Sequence, residues 1–103
     1  ERHPSTAKAR LNLALALIRS GRAEEAESMT AEAQQALAET LGAGHWTVGV
    51  AMQRRAAALR ELQRGKEAKE LDKRAGRIAE EYQKRNQIGS TVDMRALTFR
   101  ENQ

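Results

Sequence analysis

The chain matches itself when shifted by 42 positions, the step from His3 to His45. Without a gap the shift lays Ala9 on Ala51, Ala14 on Ala56, Ala16 on Ala58 and Leu17 on Leu59. It continues with Arg22 on Arg64, Glu25 on Glu67, Ala26 on Ala68, Ala33 on Ala75 and Glu39 on Glu81. A fixed period of roughly 20–50 residues marks stacked supersecondary units, each too small to bury its own apolar face, and such stacks usually make binding surfaces. The repeat thus narrows what this chain can fold into before any single residue is considered.

Spacing within the period is helical. A first helix is expected after His3-Pro4-Ser5, because proline is tolerated at or before the first turn. Leu11, Leu15 and Ile18 form one stripe on it and Leu13 and Leu17 another, which predicts burial on more than one side. Ser20-Gly21-Arg22 ends that helix, with glycine supplying the positive φ of a C-terminus. The second helix carries Ala23, Ala26, Met29, Ala33, Ala36, Leu37 and Leu41 at spacings of three and four, and the short connection predicts antiparallel packing. Gly42-Ala43-Gly44 then breaks the pattern. A third helix presents Val48, Ala51, Met52, Ala56, Leu59 and Leu62. The fourth sets Ala68, Leu71, Ala75, Ile78, Ala79 and Tyr82 on the positions of Ala26, Met29, Ala33, Ala36, Leu37 and Thr40. Gln63 replaces Gly21 at the second turn, with Gly65 two residues later, so that turn is expected to be distorted. After Ile88-Gly89-Ser90, the stretch Ser90 to Asp93 reads as a capping box opening a short helix through Met94, Leu97 and Phe99. Alternation of Val92, Met94, Ala96 and Thr98 reads equally as an extended arm.

At 103 residues there is room for one small domain, expected to be of marginal stability. Much of the 40% hydrophobic content is alanine, with a single Trp, Tyr and Phe, so close helix packing must stand in for bulky side chains. The absence of Cys removes disulfides, thiolate metal sites and cysteine nucleophiles, and fits a reducing, cytoplasmic setting. Leu13–Ile18, the longest apolar run, is six residues against the ~20 that a membrane span needs. No signal-peptide pattern opens the chain. Because Glu1-Arg2-His3 starts at a repeat boundary, the chain reads as a piece of a longer protein. The net charge of +4 invites a nucleic-acid reading, but its distribution argues against one. Ala23–Glu39 holds five acids and no base, while Arg60–Arg85 mixes nine bases with six acids at helical spacings, as in a solvated face laced with pairs such as Glu70 and Arg74. Tracking phosphates needs clustered cations.

His3-Pro4, Leu11-Asn12-Leu13-Ala14 and Gly21-Arg22-Ala23-Glu24-Glu25-Ala26-Glu27 resemble a tetratricopeptide repeat of the kinesin-light-chain type, in which helix pairs recur every 42 residues with a His-Pro boundary. Residues 3 to 82 are covered. The second repeat departs at Trp46 for proline, Arg54 for the asparagine matched by Asn12, and Gln63 for the turn glycine, as a degenerate terminal repeat would. The resemblance implies an all-α fold of antiparallel helix pairs stacked as a right-handed α-α superhelix. Its units would be a first repeat at 3–44, a second at 45–86 and a C-terminal extension at 87–103. It further implies a concave groove, lined by the first helix of each pair, for an extended or helical peptide. Carried over by position, that groove would use Lys8, Leu11, Asn12, Leu15 and Arg19 of the first repeat and Val50, Gln53, Arg54, Ala57 and Glu61 of the second. Asn12 both donates and accepts, suiting a peptide backbone. Arg54 would favour a carboxylate.

Other sharp readings lose to blander ones. His3 and His45 sit a full repeat apart at equivalent helix starts, so helix capping is favoured over a metal site, which needs about three or four convergent ligands. No nucleophile, base and orienting acid lie close in sequence, although a triad assembled in space stays open at this level. Gly42-Ala43-Gly44 lacks a preceding strand and a following lysine and is read as a loop, not a phosphate cradle. Trp46 is read as packing across the inter-repeat junction ahead of a binding hot spot, and Gln53-Arg54-Arg55 as solvated face ahead of ligand contact. The sequence accordingly predicts a non-catalytic module that binds a protein or peptide, with no cofactor, no metal and no membrane. Two alternatives stand beside it: a self-assembly element giving a homo-oligomer of the parent protein, anchored by Leu97 and Phe99, and, more weakly, nucleic-acid binding through the basic C-terminal half. In the stack, the first helix should present its Leu13 and Leu17 face either to another copy or to the upstream part of the parent.

Overall fold

In a computed structural model the described residues are 4–88, with side chains described from Thr6 to Asn86. They form an all-α structure of four helices: α1 (Pro4–Arg19), α2 (Ala23–Leu41), α3 (Trp46–Glu61) and α4 (Gly65–Ile88). Among the described residues there is no strand. The expected tail from Gly89 onward, and His3, lie outside them. α4 runs two residues past the expected repeat boundary at 86.

The two helix-pair turns are built alike. Gly21 has φ 82°, its N–H donates to Ile18 O at 3.1 Å, and the N–H of Arg22 reaches back to Leu17 O at 2.8 Å. Forty-two residues on, Gln63 has φ 64°, its N–H donates to Arg60 O at 3.1 Å, and the N–H of Arg64 reaches Leu59 O at 2.9 Å. Both are Schellman motifs, which satisfy the last helical carbonyls by turning one residue left-handed. The expected distortion at Gln63 is therefore not found, because its side chain accepts the conformation that glycine would take freely. Gly65 simply begins α4.

Consecutive helices run antiparallel. Near the start of α3, Gly49 lies against Ala75 and Ile78 at the middle of α4, while Arg60 at the end of α3 pairs with Asp72, nearer the start of α4. That crossing of ends makes α3 and α4 antiparallel. Similarly, Arg55 of α3 bonds Glu27 of α2, whereas Val48 and Met52 share a hollow with Gln34 and Ala38. α1 packs on α2, α2 on α3 and α3 on α4, with a smaller direct contact between α1 and α3.

Small residues permit this approach. Ala7, Leu11, Ala33, Leu37, Val48, Ala51, Met52, Ala56, Leu59, Ala68, Leu71 and Ala75 form the main core, and Ala14, Leu17, Ala26 and Ala58 a second cluster. A Cβ at Gly49 would stand 3.5 Å from Ile78 Cγ2, ordinary contact, so the glycine is matched to its neighbour and is not obligatory there. Thr30, buried in α2, satisfies its hydroxyl by donating to Ala26 O at 2.9 Å. Not every expected core residue is inside: Leu13 is 51% exposed, Ala79 is exposed, and Met29, Ala36, Leu41 and Ile78 are half-buried.

Candidate functional site

The ten residues assigned to the groove fall on two matching helical stripes with uneven exposure. On α1, Lys8, Asn12 and Arg19 are exposed and Leu15 is half-buried. Leu11, at 3% exposure, belongs to the main core beside Ala33 and Leu37 and offers no side chain to a ligand while that core is closed. On α3, Gln53 and Glu61 are exposed, and Val50, Arg54 and Ala57 are half-buried. Helical spacing keeps Lys8, Asn12, Leu15 and Arg19 on one side of α1 and Val50, Arg54, Ala57 and Glu61 on the corresponding side of α3. Glu61 also lines an open hollow with Ile18, Arg22, Glu24, Glu25 and Leu62.

The arginines separate into paired and unpaired ones. Arg22 clasps Glu25 and Arg64 clasps Glu67 with the same two-pronged geometry, Nη2 donating to Oε2 at 2.9 Å in each. These hydrogen bonds raise the pKa of each guanidinium, and Arg64 holds the Glu67 carboxyl below its ordinary value. Arg60 meets Asp72, and Arg55 Nε donates to Glu27 Oε2 at 2.8 Å. Arg54 differs. Its Nε is shielded from solvent and has no hydrogen-bond partner. The expected solvated run Gln53-Arg54-Arg55 is thus fully exposed only at Gln53, Arg54 and Arg55 being half-buried. Among the described residues Glu70 and Arg74 form no ion pair: both side chains are exposed, where an i,i+4 pair gains only about 0.2–0.5 kcal/mol.

His45 caps α3, its Nδ1 accepting from the backbone N–H of Thr47 at 3.2 Å, as the capping reading expected. The ring is stacked on Trp46 with centroids 6.0 Å apart. Trp46 itself is 43% exposed, so it is not packed into the inter-repeat junction as expected; the first helical position turns it outward. Among the described residues no three His, Cys, Asp or Glu side chains gather as a metal-holding group, and no helix is long and apolar enough to cross a membrane.

One feature escaped the sequence reading. A hollow of about 270 Å³ lies between α2 and α4 with α3 beneath it, lined by Gln34, Ala38, Val48, Met52, Arg74, Arg77 and Ile78. Gln34 Oε1 is shielded there without a partner. Its walls come from three helices at once, so no pattern within one helix could have signalled it. Comparison of the chain with family models, curated proteins and solved structures gives no match.

Proposed function

We propose that the chain is a non-catalytic protein-interaction module of two tetratricopeptide-like helix pairs in a right-handed superhelical stack, taking a carboxylate-bearing peptide on the shared side of α1 and α3. The observation that carries this reading is Arg54. A donor withdrawn from water and left unpaired costs about 1–3 kcal/mol, which an incoming acceptor returns. A carboxylate is the acceptor that matches a guanidinium best. Asn12, at the equivalent place on α1 and exposed, suits the backbone of the same peptide. That α1 and α3 touch directly supports a surface to which both helices contribute. The setting proposed for this module is the cytoplasm.

The test is a peptide array in which acidic residues are scanned through otherwise neutral sequences, followed by titration of the best binders. Acidic peptides should be retained selectively, and Arg54→Ala should weaken them about tenfold or more, a loss of roughly 1.4 kcal/mol. Asn12→Ala should weaken all peptides alike. Binding indifferent to both substitutions, or turnover by the isolated chain, would sink the reading.

A further inference from the structure

The repeat compares two surfaces that the fold treats differently. On α3, Ala51 and Ala58 are fully buried and Arg55 is half-buried, bonded to Glu27 of α2. These three residues, spaced four and three apart, belong to the side of α3 on which α2 lies. Their equivalents on α1 are Ala9, Leu13 and Ala16, and all three are exposed. The alanines are identical between repeats although one pair is covered and the other open. Leucine, not a charged residue, stands in the place of Arg55.

At the opposite end the pattern reverses. α2 meets α3 through positions that include Glu27, Gln34 and Ala38, with Leu37 fully buried beside them. The corresponding residues of α4 are Lys69, Gly76, Glu80 and Ala79, all exposed, so this side of α4 sets the charges of Lys69 and Glu80 where α2 has its α3-facing surface. A head-to-tail second copy would set that side against Leu13 and gain little.

We propose that Ala9, Leu13 and Ala16 form the docking surface for a further helix pair of the same 42-residue type, whose second helix lies on α1 as α2 lies on α3. The occupant is an amphipathic helix with small residues facing Ala9 and Ala16 and an apolar residue, in the place of Glu27, facing Leu13. The inference rests on the repeat reading above, but its test reads stability and mass and not peptide binding, so the two can fail separately.

The experiment extends the full chain with a duplicate of residues 3–44 joined directly ahead of His3, which continues the period, and carrying Glu27→Leu in the added copy. Heat should unfold the extended protein in one transition, about 8 °C or more above the parent chain. Leu13→Glu in the original copy should remove that rise, while the same substitution in the unextended chain shifts its Tm by no more than about 2 °C. Two separate transitions, an unchanged Tm, or a rise that survives Leu13→Glu would each overturn the proposal. Sedimentation equilibrium of the unextended chain should find a monomer. A dimer dissociated by Leu13→Glu would assign the surface to a second copy and overturn it as well.

Discussion

Gln63 repeats the left-handed backbone of Gly21, φ 64° against 82°, and carries the same pair of back-reaching hydrogen bonds. For an L-residue that conformation costs about 1–2 kcal/mol, part of which glycine gives back through its freer unfolded chain. Gln63→Gly should therefore stabilise the protein by about 0.5–1 kcal/mol. Nothing lies within 4 Å of a Cβ built at Gly21, so Gly21→Ala should cost about 1 kcal/mol through the backbone alone. Urea denaturation of the two variants checks both signs; Gln63→Gly leaving stability unchanged would mean that the turn is not strained.

Leucines at two positions should answer very differently to truncation. Leu59 is 1% exposed within the main core, and Leu59→Ala should cost about 2–5 kcal/mol, a large share of the stability of so small a domain. Leu13 is 51% exposed, and Leu13→Ala should stay within about 0.5 kcal/mol. Thermal unfolding of both variants makes the comparison, and a large loss at Leu13 would place it in the core of the isolated chain.

The carboxyl of Glu67 is held below its ordinary 4.5, first by the side-chain hydrogen bond from Arg64, with the charges of Arg64 and Arg55 acting in the same direction and desolvation opposing them. A carboxylate depressed in the folded state contributes stability that is fully present above its unfolded value and is lost as pH falls below 4.5 through the folded value. Carbon-detected NMR titration should find Glu67 titrating below that value, and Arg64→Gln should return it to the ordinary range. A Glu67 that titrates ordinarily in the parent chain would show that the pair does not form in solution.

Helix number, the apolar stripes and the capping role of His45 are all legible in the sequence, because each depends on residues within one or two turns of one another. Residues whose fate depends on neighbours across the fold were harder to place. Leu11 looked available for a ligand, yet it sits where α1 meets the core shared by α2 and α3. Trp46 looked like junction packing and points outward. Ala9 and Ala51 are the same residue at the same repeat position, one exposed and one buried, and only the presence of α2 beside α3 separates them. Within the candidate site the period makes Asn12 and Arg54 equivalent, and the resemblance alone implies their groove role; the shielded and unpaired state of Arg54 Nε is legible in neither.

Arg55 and Glu27 join the two repeats through a pair that is neither solvated nor fully enclosed, their side chains 30% and 17% exposed. Removing one partner strands a charge that is partly withdrawn from water, so Glu27→Ala should cost about 1–2 kcal/mol, between the surface and buried limits. Replacing both at once should be far milder, because leucine already occupies the equivalent place at Leu13 and two apolar residues of similar length would meet across the α2–α3 contact. The double variant Glu27→Leu with Arg55→Leu is accordingly expected within about 1 kcal/mol of the parent or above it. A double-mutant cycle in urea, completed by Arg55→Leu and Glu27→Leu alone, supplies the coupling energy. Strictly additive losses would mean that the ion pair contributes nothing to holding the two helix pairs together, and that the alanine contacts beside it carry the junction.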